Sequence, residues 1–272
     1  MKNNISKKSL LPGVSILGSG WLGAPLAQHL HKSGYQLKVS SRNPQQRHIN
    51  NTILSYYVDI DSQQWSAEFF STEILICAIP SKNIHAFIAL NKMIESSPIQ
   101  KVLFISSTGV YRPSDKMIDE AGQHEDLHHP LYQIEQGLRN SSHFTTTVIR
   151  FAGLIGPRRH PGRFFQHQRP IPQPNSPVNL IHLSDCIGLI THILGQQHAI
   201  GEVYNGCADS HPSRYDFYHH ARQQLQQPPP IFSQHCIEKP AKYISNDKIK
   251  TQLGYQLIFP DLMAIPLNAM SN

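Results

Sequence analysis

The chain has 272 residues, enough for one large α/β domain, or one domain plus a small lobe, with a full core. Its 24 Lys and Arg against 18 Asp and Glu give a formal net charge of +6. These charges are mostly dispersed, which argues for a shortage of acids rather than a nucleic-acid surface. The four cysteines (Cys77, Cys186, Cys207, Cys236) form no C-x-x-C pair, and the 17 histidines give no helical pair with a third ligand. Neither a metal site nor a disulfide framework is therefore expected. No apolar run reaches bilayer length and the N-terminus lacks a signal-peptide pattern, so a cytoplasmic protein without membrane contact is expected.

In chain order, VSILG (14–18) is a short apolar strand ending in glycine, and APLAQHLHKSG (24–34) has apolar residues at helical spacing, stopped at Gly34. LKVSSR (37–42), SYYVDI (55–60) and EILICAIP (73–80) are the next strands. The last is apolar from Ile74 onward, as a parallel strand buried on both faces must be. A helix follows at IHAFIALNKMI (84–94), then a strand at KVLFISS (101–107), a helix at 130–141 and a strand at TTTVIRFA (145–152). This β-α-β alternation predicts a Rossmann-type, doubly wound parallel sheet. Residues 10–153 form the NAD(P)-binding domain in this reading. Residues 154–272 complete the sheet with strands near 178–183 and 202–207 and add a small C-terminal substrate lobe. Two further helices start near Ser184 and Ser213, both plausible caps, and QQPPP (226–230) is a linker.

GSGWLG (18–23) fits G-x-G-x-x-G between a strand and a helix. Gly18 makes the tight turn, Gly20 lets backbone approach a pyrophosphate, and Gly23 lets helix and strand pack closely. The helix N-terminus that follows attracts the anion. At the end of the second strand an NAD site carries Asp or Glu for the ribose hydroxyls. Here the residues are Ser40-Ser41-Arg42, with no carboxylate to repel a 2′-phosphate and an arginine to pair with it. NADP is therefore expected in preference to NAD.

Together with FISSTGVY (104–111), VIRFAGLIGPRRHPGRF (148–164), VNLIHLSD (178–185) and VYNGCADSHPSRYDFY (203–218), the glycine turn makes the chain resemble the extended and atypical branches of the short-chain dehydrogenase/reductase superfamily. These branches include NAD-dependent epimerases and dehydratases. The chain looks most like the small YeeZ-like group of NAD(P)-binding proteins. The resemblance adds Trp21, Leu22, Ile79, Pro80, Ser106 and Gln136 to the cofactor contacts. It implies an oxidoreductase or epimerase acting on a small anionic carbonyl or nucleotide sugar, and a homodimer through helices flanking the fifth strand.

The superfamily's catalytic set is a Ser or Thr, a Tyr, and a Lys four residues after the Tyr. Ser107 and Tyr132 occupy the first two positions, and Gln136 stands at the third. A tyrosine hydroxyl titrates near pH 10 in isolation, and a lysine ammonium one turn away lowers that value toward neutrality. Gln136 keeps a hydrogen-bonding amide but no charge. Glu135 makes the field less favourable if it points the same way. Two readings stay open here. Ser107 polarises a substrate oxygen and Tyr132 moves the proton, or Ser107 caps a turn and Tyr132 is an ordinary helix residue in a non-catalytic NADP(H)-binding sensor or scaffold. Arg139 lies two turns from Tyr132. Of the histidines ahead of it, His128 and His129, the second either caps the helix or serves as an alternative acid/base.

Substrate contacts are expected from Tyr111, lining the cleft, and from the loop GPRRHPGRFFQHQR (156–169), which carries Arg158, Arg159, Arg163 and Arg169 beside Phe164 and Phe165. Arginine suits phosphate and carboxylate through its planar fork. Arg214, at the start of a later helix, is a further expected anion contact. His182 and Asp185 are expected to fix a strand-to-helix turn. Nucleic acid binding through the arginine loop is disfavoured, because the loop lacks a docking element.

Overall fold

A computed structural model describes residues 11–43, 53–114, 116–165, 170–233 and 240–267. The strands in chain order are β1 (Gly13–Leu17), β2 (Gln36–Ser41), β3 (Leu54–Asp59), β4 (Gln64–Trp65), β5 (Ile74–Cys77), β6 (Lys101–Ser107), β7 (Met117–Ile118), β8 (Thr145–Phe151), β9 (Gly153–Ile155), β10 (Leu180–His182), β11 (Val203–Gly206) and β12 (Tyr243–Ile244). The helices are α1 (Gly23–Lys32), α2 (Ile84–Glu95), α3 (Pro130–Arg139), α4 (Leu183–Leu194), α5 (Arg214–Gln224) and α6 (Asp247–Thr251). Eight strands make one sheet in the order β11-β8-β6-β5-β1-β2-β3-β4. The recorded pairings in it are parallel except β3 with β4. The fold is α/β of Rossmann type, as the alternating pattern predicts.

The described residues fall into two compact units, within Met1–Phe104 plus Asn140–Thr146 and within Ile105–Arg139 plus Thr147–Asn272. The sequence places a single boundary near residue 153. The structural division instead runs through β6 and β8, which no linear cut can reproduce. A second difference concerns the strand expected near 178–183. Its residues Leu180–His182 pair with β9 in a separate two-stranded sheet, while β11 alone of the two joins the large sheet.

In the first unit, β1 and β5 pair in register from Val14↔Ile74 to Leu17↔Cys77, and their apolar side chains are buried. The order of strands reverses between β1 and β5, which is where open α/β sheets bind ligands at the carboxyl ends. α1 buries Leu26, Ala27 and Leu30, residues at helical spacing. Its N-cap position, Leu22, offers no side-chain cap; in the first turn the Ala24 N–H donates to the Gly20 carbonyl oxygen at 3.1 Å and Pro25 has no N–H, so the capacity for an anion rests on the helix N-terminus at Gly23.

In the second unit a core cluster joins Ile155, Ile171, Leu180, Phe217, Tyr218 and Leu262. This cluster is assembled from segments spread between residues 155 and 267. Ser213 caps α5 by accepting from the Asp216 N–H at 3.0 Å, as expected. For α4 the cap is His182 rather than Ser184. Its Nδ1 accepts from the Ser184 N–H at 3.2 Å, because the helix starts two residues earlier than a Ser184 cap implies. Asp185 does not fix that turn. Its buried carboxylate accepts from the N–H groups of Ile258 and Phe259 and so holds the C-terminal segment.

Burial pushes the His182 imidazole down to about 4 from its ordinary 6.5. A lowered value means that the unfolded chain takes up the proton first. The stabilising contribution is complete above about 6.5 and is lost as pH falls toward about 4. His182→Asn keeps a capping acceptor without the titration. We expect this variant to lose less stability than the wild type across that window in thermal unfolding; equal losses would contradict the assignment.

Candidate functional site

The first unit carries a pocket of about 510 Å³ at the carboxyl ends of β1, β2, β3 and β5. That volume lies within the roughly 300–1,000 Å³ of small-molecule sites. Gly18, Gly20, Ser41, Arg42, Ile79 and Pro80, all expected from the sequence, line it. Gly18 has φ +109, and a Cβ there would lie 2.8 Å from the Ala78 carbonyl oxygen. Only glycine fits that position. A Cβ on Gly23 would collide with the Gly18 carbonyl oxygen, so the third glycine permits close packing of turn and helix. A Cβ on Gly20 would meet nothing within 4 Å, leaving an open backbone approach. Trp21, Leu22 and Gly23 do not line the pocket; Leu22 is buried beneath the turn.

Ser40 escaped the sequence analysis as a pocket residue. Its hydroxyl accepts from the Gly18 N–H at 2.7 Å and ties the end of β2 to the glycine turn. Asp59 at the end of β3, and Ile60 and Asp61 just after it, also line the pocket and were missed. The signal available was their place at a strand's carboxyl end. Both carboxylates have local partners: Asp59 accepts from the Asp61 N–H and the Ser62 hydroxyl, and Asp61 accepts from Asn83 Nδ2 at 2.9 Å. Arg42 is exposed and makes no ion pair among the described residues. The chemistry of a dinucleotide fits this lining. It offers a backbone cradle with no side chain in the way at Gly20, the N-terminus of α1 beside it, and the Arg42 cation on its rim.

The second unit holds a buried ionic cluster around Arg150 of β8, which is 1% exposed. Its Nη2 lies 2.7 Å from Glu135 Oε2, and its Nη1 donates to Glu125 Oε1 at 2.5 Å and to the Tyr111 hydroxyl at 2.8 Å. Ser106 donates to Glu135 Oε1 at 2.5 Å. Burial opposes the Arg150 charge, but Glu135, Tyr111 and Glu125 outweigh it and raise its proton affinity further. Tyr111 is pushed up to about 12, chiefly by burial, with Arg150 opposing. Its hydroxyl donates to Asn205 Oδ1 at 2.9 Å. Tyr111 therefore does not line a cleft as the sequence suggests, because its ring is buried and its hydroxyl is committed.

This cluster also settles the direction of Glu135. The carboxylate is fully buried against Arg150. Tyr132 and Gln136 are half-buried on α3, one turn apart. The Arg150 guanidinium carbon lies 5.8 Å from the Tyr132 ring centroid. Ser107 Oγ accepts from the Gly109 N–H at 3.0 Å, capping the turn at Thr108–Val110. A hydroxyl that accepts in this way still has its own proton to donate. His129 Nδ1 accepts from the Leu131 N–H at 3.2 Å, as a cap does, and His128 and Arg139 are exposed.

A second cavity of about 370 Å³ lies within this unit, and Arg214 lines it. Arg158 and Arg163 do not; both are exposed, with Arg158 at φ 62 in the tight turn between Gly156 and Arg159. Phe165 packs on the Tyr218 ring, centroids 4.8 Å apart, and Phe164 is exposed. Arg169 and Cys236 lie outside the described residues. Among the described residues no group of three or more potential metal ligands is found, and no helix is long and apolar enough to cross a membrane.

Arg150→Met would leave Glu135 and Glu125 buried without their cation. Breaking a buried pair in this way costs about 3–5 kcal/mol. We expect a loss of that size in urea unfolding; a loss below about 1 kcal/mol would mean that the cluster is not the clasp described.

No protein-family model matches the chain. It is 31% identical to protein YeeZ of Escherichia coli (strain K12), over 93% of this chain and 98% of that protein. A functionally unknown conserved protein from Silicibacter pomeroyi superposes with TM-score 0.78 at 21% identity, covering 95% of this chain and 98% of that one. UDP-glucuronic acid 4-epimerase from Bacillus cereus, solved with UDP-glucuronic acid and NAD, superposes with TM-score 0.77 at 17% identity, covering 95% and 97%.

Proposed function

The chain belongs to the family of protein YeeZ, and from that premise we propose that it is an NAD(P)-dependent oxidoreductase or epimerase acting on an anionic carbonyl or nucleotide-sugar substrate. The observation that carries the reading is the glycine turn. Gly18 and Gly23 stand where no side chain fits, at the switch point of the sheet, below an uncapped helix. The Bacillus cereus neighbour, which shares the fold, was solved with NAD and a nucleotide sugar. Arg42 and the absence of a carboxylate at the end of β2 favour NADP over NAD.

When bound, a nicotinamide supplies the hydride-transfer chemistry. The chain's own residues do the rest. Gly18, Gly20 and the N-terminus of α1 at Gly23 hold the pyrophosphate, and Ser41 and Arg42 hold the adenosine ribose, beside Ile79 and Pro80. Ser106, buried and donating to Glu135, holds α3 in place rather than spending its proton elsewhere. Ser107 donates its free hydroxyl proton to the reacting oxygen. Tyr132, whose hydroxyl has no hydrogen-bond partner among the described residues, moves the proton. Gln136, one turn from Tyr132, offers a hydrogen-bonding amide without the charge that a lysine brings. The 370 Å³ cavity with Arg214 receives the anionic part of the substrate.

Incubation with NADP or NAD and UDP-glucuronic acid or UDP-glucose, followed by chromatography of the sugar nucleotides, tests the reading. General acid/base catalysis contributes roughly 10²–10⁴-fold, so Tyr132→Phe is expected to lower turnover by that order. Unchanged turnover in Tyr132→Phe would remove Tyr132 from the mechanism. The second reading, a non-catalytic NADP(H)-binding protein, is favoured by Gln136 and by the capping role of Ser107. It predicts nucleotide binding with no turnover of any sugar nucleotide.

A further inference from the structure

Lys242 lines the 370 Å³ cavity, and its ammonium is half-buried. It donates to the carbonyl oxygens of Thr108 and Tyr111, the turn that follows Ser107. Lys242 pairs with no carboxylate among the described residues, and no Asp or Glu lines the cavity. The backbone around it is held from two sides. β12 pairs with β7, and Asn179 both donates to the Lys242 carbonyl at 2.6 Å and accepts from the Ile244 N–H at 3.1 Å.

An ammonium has three donors, and two carbonyls take two of them. The third is left for whatever enters the cavity. Taking a cation out of water without a counter-ion is unfavourable, and burial does lower the proton affinity of this lysine. The debt is settled when an anion binds. The same cavity presents the Arg214 guanidinium, of which Nη1 is engaged by the Pro172 carbonyl at 2.9 Å. It also presents Tyr218, whose hydroxyl has no hydrogen-bond partner among the described residues and whose proton is held firmly, burial pushing it up to about 12. Two cations, a spare phenol donor and no acid make a wall for an oxyanion.

We propose that Lys242 is the specificity-determining residue of this cavity, selecting ligands that carry a phosphate or carboxylate and linking the bound anion to the turn behind Ser107. The proposal rests on the nucleotide-sugar reading above and adds to it a residue far from the motifs. The oxyanion has two sources in such a ligand, the diphosphate and a carboxylate on the sugar. Calorimetric titration of the full chain with UDP, UDP-glucuronic acid, UDP-glucose and uridine separates them.

A hydrogen bond to a charged group contributes enough to change affinity by about 10–100-fold. If Lys242 reads the diphosphate, Lys242→Met weakens UDP and both UDP-sugars by that factor. If it reads the carboxylate, only UDP-glucuronic acid weakens. In either case uridine binding is unchanged and Lys242→Arg recovers most of the loss. Equal weakening of uridine would mean that Lys242 only props the turn, and unchanged affinity for every ligand would remove it from the site; both overturn the proposal while leaving the nucleotide-sugar reading standing. Failure of the wild type to bind UDP or either UDP-sugar would overturn the proposal and that reading together.

Discussion

The second unit depends on one buried cation. Arg150 reaches from β8 to Glu135 on α3, to Glu125 and to the Tyr111 hydroxyl, while Ser106 closes onto the same Glu135 carboxylate. Three segments that carry candidate chemistry are thereby fixed to one strand: the end of β6 with Ser107, the turn with Tyr111, and the helix with Tyr132 and Gln136. A buried ion cluster is weak evidence for net stability, since desolvation offsets much of the attraction. Its value here is geometric. An apolar replacement can fill the space but cannot specify which face of α3 turns inward, and that choice decides where Tyr132 points.

The first unit is organised by a different constraint, the absence of a side chain. Gly18 accepts a positive φ under the Ala78 carbonyl, and Gly23 lies against Gly18. The Ser40 hydroxyl then satisfies the Gly18 N–H that the sharp turn leaves over. A nucleotide-sized pocket opens at this turn, with Ser41 and Arg42 on its rim. Both residues stand at the end of a strand, where the rigid sheet positions a loop without limiting its chemistry.

Much of the fold was legible because periodicity carries it. β5 is apolar at every position, and α1 and α2 bury residues at helical spacing. The glycine turn was legible for the same local reason, with strand, glycines and helix adjacent in sequence. What was not legible depends on distant pairing. Arg150 stands inside an apolar strand pattern and reads as an anomaly until its three partners arrive from residues 111, 125 and 135. Tyr111 reads as a cleft residue until Asn205 and Arg150 claim its hydroxyl. Lys242 follows the linker and acquires its place only because β12 pairs with β7, a contact across more than a hundred residues. The dense arginines of 156–169 drew attention by composition, yet Arg158 and Arg163 are solvated, and the cavity takes its cations from Arg214 and Lys242.

The proposed activity depends on a dinucleotide occupying the Gly18–Arg42 pocket, and fluorescence titration with NADPH and NADH, on the wild type and on Arg42→Ala, tests this directly. It predicts saturable binding of both, tighter for NADPH, with the preference abolished in Arg42→Ala. Binding of neither nucleotide would contradict the central claim, and tighter binding of NADH would overturn the role given to Arg42.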